Sequence, residues 1–374
     1  MNKPTESTHT SAHIQMRSII QRIATGPELS KSISQEEAHA AMKHALNNEV
    51  DEVQAAIFFI ALRLKRETMD EYKGMLDAIR AATHTLTAEV DELVDIADPY
   101  DGYNRSLPPT PFLPAVLAEC GVPAITQGLD AVGPKFGVTH RHVLQALGVA
   151  VDLSPEQAAA RISDPATGWS YIDQSQFCPK LHSLVPLRTK MVKRTSMTTL
   201  DVLAKPIAGR KKTHLVTGYV HKPYPPVYAQ LARHVGYESA LLIRGLEGGV
   251  MPSLRQEGKY YFYHHMDEEQ GVDTNPLDLG IDQQVRSVPL PDDLPTASRP
   301  GDEIAITLDV PATAKAAAEA GMAALSGKQG PTYDGLVYSG ALILHHVGKA
   351  PHLKEAAEMV RAVLDSGKAT ARIK

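Results

Sequence analysis

The chain has 374 residues, of which 43% are hydrophobic and 22% charged, and its net charge is −5. That length allows a large core and two structural lobes, at about 150 residues per domain, while no stretch holds the ~20 apolar residues that a membrane-spanning helix needs. An acidic balance argues against nucleic acid meeting the whole surface. Cys120 and Cys178, the two cysteines, have no metal-ligand spacing and read as unpaired thiols of a cytoplasmic protein.

Residues 1–14 are polar, lack the charged and apolar regions of a signal peptide, and read as a disordered tail. Met16 to Ala24 reads as a helix. A second runs from Ser34 to Leu46, where Ser34 and Glu37 form a capping box. Val53, Ala56, Ile57, Ile60, Ala61 and Leu64 recur at helical spacing, and Met69 to Ala82 gives a fourth helix. From Leu93 the pattern changes to short apolar runs, Val94 to Ala97, Pro123 to Thr126, His214 to Tyr219, Ser239 to Arg244 and Glu303 to Leu308, which read as strands. Helices at Phe112 to Cys120, His140 to Ala146 and Val227 to Val235 alternate with them, so the larger part of the chain reads as α/β with a mainly parallel central sheet. Ser154-Pro155-Glu156-Gln157 starts a further helix, placed here against the N-terminal bundle. Lys259 to His265 reads as an aromatic edge strand, and its adjacent His264 and His265 point to opposite faces, which disfavours a shared metal. Three helices close the chain, Ala312 to Leu325, Gly335 to His346 and His352 to Leu364.

Two stretches stand out chemically. Asp98 to Thr110 reads Asp-Pro-Tyr-Asp-Gly-Tyr-Asn-Arg-Ser-Leu-Pro-Pro-Thr between a strand and a helix start, where backbone N–H groups and a helix dipole favour an anion. Lys180 to Lys222 holds ten Lys and Arg against one acid, Asp201, so that window carries +9 and the remainder −14. Such asymmetry suggests a face for phosphate or polyanion.

The residues also resemble a known family. Asn48-Glu49-Val50 before the Ala55 to Leu64 helix, Gly121-Val122-Pro123, Leu144 to Gly148, Leu153-Ser154-Pro155-Glu156-Gln157, Gly327 to Pro331 with Asp334, and Asp365-Ser366-Gly367-Lys368-Ala369 are similar to anthranilate phosphoribosyltransferases. The resemblance implies a helical lobe of residues 15–90, joined by helices from about 153–195 and forming a homodimer. It further implies an α/β lobe of residues 91–374 and a ligand cleft between the lobes. Its chemistry is pentosyl transfer from a phosphorylated sugar to an aromatic or nitrogenous acceptor, by positioning and electrostatic stabilisation.

Carried over residue by residue, the resemblance makes Asp101, Gly102, Tyr103, Asn104, Arg105, Thr110 and Gly128 the phosphate and sugar contacts and Arg188 the acceptor contact. Pro99, Pro108 and Pro109 stand where a Gly-rich phosphate loop offers N–H donors, and Tyr103, Asn104 and Arg105 are expected to compensate with side-chain donors. Val250 and Met251 occupy the positions of the family's acidic magnesium pair, leaving Glu247 as the nearby carboxylate, so magnesium lacks its usual ligands. A divergent, nucleic-acid-binding branch shares the altered loop and a Phe177-Cys178-Pro179 sequence, which makes Lys180, Lys190, Lys193, Arg194, Arg210, Lys211 and Lys212 candidate phosphate contacts. Three readings stay open: a transferase with an acceptor other than anthranilate, a non-catalytic nucleic-acid-binding homodimer, and anthranilate phosphoribosyltransferase itself.

Overall fold

The computed structural model describes residues 11–297 and 308–373. Most of the expected tail and of the Glu303 to Leu308 strand lies outside the described residues, but Ser11 to Ile14, read as part of that tail, form the first turn of a helix. The chain forms two compact units, Met1–Thr83 with Cys178–Ala204, and His84–Phe177 with Lys205–Lys374.

In the smaller unit the helices Ser11–Ile23, Gln35–Leu46, Glu52–Lys65 and Met69–Ala82 form as their periodicity predicts. Capping boxes at Ser34/Glu37 and Thr68/Glu71 satisfy the first free N–H groups of two of them. Glu71 does a second job. Fully buried, it accepts from Ile33 N at 3.0 Å and pairs with Lys65 Nζ at 2.7 Å, tying the loop before the second helix to the end of the third. Gly74 lets the second and fourth helices close, because a Cβ there would lie 2.1 Å from Gln35 O. The returning segment adds the short helices Pro179–His182, Val185–Met191 and Ser196–Leu200.

The larger unit carries the strands β1 Leu86–Thr87, β2 Glu92–Ala97, β3 Ala124–Gly128, β4 Trp169–Asp173, β5 Ile207–Ala208, β6 Lys212–Tyr219, β7 Ser239–Arg244, β8 Gly258–His264 and β9 Gln270–Thr274. β1 and β5 make a two-residue parallel ladder, and the other seven form one sheet in the order β4-β3-β2-β6-β7-β8-β9. The run from β4 to β7 is parallel and the last two pairings are antiparallel, which makes the fold α/β with a mostly parallel sheet, as expected. Val94, Ile96, Val216, Leu241 and Ile243 pack on one face of the sheet in a cluster with Phe112, Val116 and the Pro331–His346 helix.

The Pro155–Ser163 helix begins where Ser154 caps it, but it belongs to the larger unit, beside β4. The expectation that helices from about 153–195 join the bundle is corrected for this helix alone, since Pro179–His182 and Val185–Met191 do belong to the smaller unit. The cap is a local signal, whereas the partner depends on β4, whose Trp-Ser-Tyr-Ile-Asp run was not legible as a strand.

Chain order gives this sheet a switch point. From β2 the chain moves outward through β3 to β4, then crosses back to β6 on the other side of β2 and moves outward to β7. The direction reverses between β2 and β6. A crevice opens at such a switch point, outside the carboxyl ends of the strands. Asp98 is the first residue after β2.

Candidate anion-binding site

Asp98 organises the loop that it begins. Its carboxylate is 3% exposed and takes four donors. Val250 N donates to Oδ1 at 2.9 Å, while Tyr103 Oη and Thr110 Oγ1 donate to Oδ2 at 2.6 Å each and His140 Nε2 lies 2.8 Å from the same oxygen. His140 is held in turn through Nδ1, 2.7 Å from Thr126 Oγ1 on β3. Burial by itself pushes the Asp98 carboxyl up, but the charge of His140 and the hydrogen bonds from His140, Thr110 and Tyr103 outweigh it and hold the group below its ordinary value. Burial, and then the neighbouring Asp98 charge, pushes the Tyr103 phenol far up, so it stays a donor.

The loop is pinned from two sides. Tyr103 and Val138 exchange backbone hydrogen bonds at 2.8 and 2.7 Å, and Gly102 (φ +75) and Gly137 make that approach possible, since a Cβ on either would meet the other segment's backbone within 2.6 Å. On the other side the Gly245 to Gly249 turn after β7 closes on Tyr103, where a Gly249 Cβ would sit 1.7 Å from the hydroxyl.

Glu247 sits at the tip of that turn in the left-handed region (φ +54), which a non-glycine residue enters at a cost of about 1–3 kcal/mol. Its carboxylate accepts from Asn104 N at 3.1 Å, Arg105 N at 3.0 Å and Ser106 Oγ at 3.0 Å, and pairs with Lys135 Nζ at 2.6 Å. Successive backbone N–H groups with a hydroxyl and an ammonium form an anion-binding concavity. Here the protein's own carboxylate fills it.

The sequence-predicted residues are thus distributed unevenly. Tyr103 and Thr110 direct their hydroxyls inward to Asp98, so Tyr103 does not supply the side-chain donor expected of it. Asn104 and Arg105 contribute backbone N–H groups, and Arg105 is exposed. Gly102 makes the close turn, and Asp101 accepts from Gly137 N through its carbonyl at 2.9 Å. Gly128 ends β3 beside the Tyr171 hydroxyl. Val250 and Met251 are buried at 0% and 1% exposure and offer no side-chain oxygen. Sequence reading passed over His140, Lys135 and Ser106. The insertion around Pro134-Lys135-Phe136-Gly137 was the one signal for Lys135, and nothing local marks His140.

Arg188 lies in the smaller unit, 4% exposed and paired with Asp201 at 2.7 Å. The basic window divides between the two units and meets acids from outside itself: Lys190 pairs with Glu52, Arg210 with Glu89 and Asp91, Lys211 with Asp91 and Lys212 with Glu92. Lys180 donates to Asn47. Within each unit, then, acids from outside the window offset part of its +9. Lys193 and Arg194 are exposed.

A second polar cluster lies at the amino ends of β6 and β7. Ser239 Oγ is 2.7 Å from both His214 Nδ1 and His346 Nε2, and His264 stacks on His346 with ring centroids 4.5 Å apart. His265 turns away to Glu238 at 2.8 Å, and among the described residues no three His, Cys, Asp or Glu side chains are placed to hold a metal.

Residues 17–83 match the helical bundle domain of the glycosyl transferase family and residues 110–288 its a/b domain, so the loop from Asp98 to Pro109 falls between the matched segments. The chain is 28% identical to an anthranilate phosphoribosyltransferase of Rhodopseudomonas palustris (strain BisA53) over 361 residues, 96% of each chain. It is also 28% identical to that of Bradyrhizobium diazoefficiens over 360 residues, 96% of this chain and 97% of the other. The solved anthranilate phosphoribosyltransferase of Thermus thermophilus has a TM-score of 0.70 at 20% identity, covering 96% of this chain and 97% of that one. The Saccharomyces cerevisiae enzyme in complex with PRPP and Mg has a TM-score of 0.72 at 15% identity, covering 98% and 97%. Those two likenesses carry the fold alone. With its helical bundle and its α/β portion both matched, and with similarity running along almost its whole length, the chain belongs to the anthranilate phosphoribosyltransferase-like family of glycosyl transferases.

Proposed function

We propose that the protein transfers a pentosyl group from a phosphorylated sugar donor to an aromatic or nitrogenous acceptor, with chemistry other than the standard anthranilate reaction. One observation carries the reading: donors from Asn104, Arg105, Ser106 and Lys135 converge on a single pair of anionic oxygens beside the switch point of the sheet. Phosphoryl oxygens suit the same donors. In the reaction the acceptor nitrogen attacks the sugar C1, the C1–O bond breaks, pyrophosphate leaves with the electron pair and the nitrogen loses a proton. The cradle holds the departing charge while positive charge develops on the sugar.

The S. cerevisiae relative binds PRPP with Mg. The residues here do not fit that ion. Both oxygens of Asp98 are taken up by donors, the Thr110 hydroxyl is directed to Asp98, Glu247 faces N–H groups, and Val250 and Met251 are apolar, whereas magnesium wants several oxygen ligands in octahedral array. Calorimetry with 5-phosphoribosyl diphosphate and with pyrophosphate, with and without magnesium, tests the reading. Binding without magnesium that weakens at least tenfold in Lys135→Ala supports it, and no binding under any condition overturns it. An anthranilate-consumption assay separates it from standard chemistry, because turnover of anthranilate at rates typical of enzymes would show that the acceptor is the ordinary one.

The homodimer has a surface in its favour. Val53, Ile57 and Leu64 are 67%, 40% and 78% exposed along the Glu52–Lys65 helix, and with Ile23, Leu187 and Met191 they line an apolar groove of about 720 Å³. Sedimentation should find a dimer that Leu64→Glu dissociates. The second reading, nucleic-acid binding, rests on Lys180, Lys190, Lys193 and Arg194, all exposed on the smaller unit. The Lys190–Glu52 pair is more than 60% exposed on both sides and weak enough for a phosphate to displace. A salt-dependent gel shift lost on neutralising Lys190, Lys193 and Arg194 would favour that reading.

A further inference from the structure

The cradle at residues 104–106 contains its own anion. We infer that Glu247 is an internal stand-in for a phosphoryl group, and that a phosphorylated ligand binds by displacing its carboxylate from Asn104 N, Arg105 N, Ser106 Oγ and Lys135 Nζ. This rests on the reading that the cradle receives phosphoryl oxygens.

Three features support displacement over permanent closure. All four contacts end on side-chain oxygens, so rotation about the Glu247 side-chain bonds frees the donors without breaking any hydrogen bond between backbone groups. The Glu247 and Lys135 side chains keep 10% and 9% exposure, so neither is wholly shut off from solvent. The turn itself is anchored independently, by Leu246 N to Met251 O at 2.9 Å and Val250 N to Asp98 Oδ1 at 2.9 Å, so it keeps its place when the carboxylate leaves. Lys135 serves both states, pairing with the carboxylate when the cradle is closed and with the ligand when it is open. A ligand that must wait for the open form binds with an apparent affinity reduced by the open fraction. Glu247 therefore sets a threshold: a monoanion competes poorly, while a diphosphate, with more charge and more acceptor oxygens, competes well.

The test uses inorganic pyrophosphate titrated into the full chain by calorimetry, with Glu247→Gln and Glu247→Asp. Gln keeps the shape and removes the charge; Asp keeps the charge but is one methylene shorter and draws the carboxylate back from the donors. Pyrophosphate should bind Glu247→Gln at least tenfold more tightly than wild type and Glu247→Asp with intermediate affinity, and Lys135→Ala in the Gln background should remove most of the gain. If wild type binds pyrophosphate and a Gln variant with unchanged circular dichroism binds it no more tightly, the displacement idea is overturned while the anion site stands. If the Gln variant fails to fold, the Asp variant decides by the same comparison. If neither wild type nor any folded variant binds pyrophosphate, the anion-site reading fails and the displacement idea with it.

Discussion

Asp98→Ala should be the most damaging single change in the larger unit that leaves the sheet itself untouched. It removes the acceptor for Tyr103 Oη, Thr110 Oγ1, His140 Nε2 and Val250 N. The Thr110 hydroxyl can turn to His140 Nε2, already 2.9 Å away, which leaves the phenol and the Val250 amide facing a cavity. A buried donor left unpaired costs roughly 1–3 kcal/mol, and breaking a buried charged pair roughly 3–5 kcal/mol. The expected loss is therefore about 3–5 kcal/mol out of a total in the range of about 5–15 kcal/mol. Trp169, the only tryptophan, is fully buried on β4 in the same unit, so its fluorescence during urea unfolding reports the right structure. With a slope of about 2–3 kcal/mol per molar urea the midpoint should fall by about 1–2 M. Asp98→Asn, which keeps one acceptor oxygen, should lose roughly half as much. The folded-state carboxyl lies below its unfolded value, so its contribution is complete above about pH 3.9 and disappears as pH falls through the folded pKa; the Asn variant should lack that part of the acid limb. An Ala variant whose midpoint stays within about 0.3 M of wild type, against the slope just used, would refute the view that Asp98 organises the loop.

Gly249→Ala places a Cβ 1.7 Å from Tyr103 Oη at an ordinary φ of −81, so its effect is steric, and about 2–3 kcal/mol should be lost in the same urea experiment. In the smaller unit, Arg188→Ala removes the buried guanidinium paired with Asp201 and should destabilise by about 3–5 kcal/mol, while Arg188→Leu with Asp201→Leu restores most of it. Circular dichroism melts read both, and a Tm unchanged in the Ala variant would free Arg188 for a role toward ligand. Burial, with the positive charge of neighbouring rings, lowers the His346 pKa far below its ordinary value, and burial lowers those of His214 and His264. The folded state holds the His346 ring neutral and disfavours protonation of the other two, so stability is full above about pH 6.5 and falls below it, by up to ~1.4 kcal/mol per pH unit for a ring that only the unfolded chain protonates. His346→Phe should flatten the decline of the urea midpoint between pH 6.5 and 5, and a slope equal to wild type would show that His346 is not its source.

What the sequence by itself determined is what short-range contacts decide. The Met69–Ala82 helix, the His140–Ala146 helix and β7 follow the expected boundaries, and the Ser34/Glu37 and Ser154/Gln157 caps join residues three apart. Alternation of strand and helix was enough for a mostly parallel α/β sheet, and helical periodicity for a separate helical bundle. β4 was missed because Trp-Ser-Tyr-Ile-Asp is neither alternating nor wholly apolar, although every residue in it is buried. The loop from Asp98 to Thr110 reads as a candidate anion site because it follows a strand and precedes a helix. Its occupant was not visible, since Glu247 meets Asn104 across 143 residues of chain. The same distance in sequence hid the pairing of Lys190 with Glu52 and of Arg210 with Glu89, so a window that counts as +9 in one dimension is partly neutralised in three. Only the tertiary structure could bring those charges together, because charge is a property of residues but the field they produce depends on which residues the fold makes neighbours.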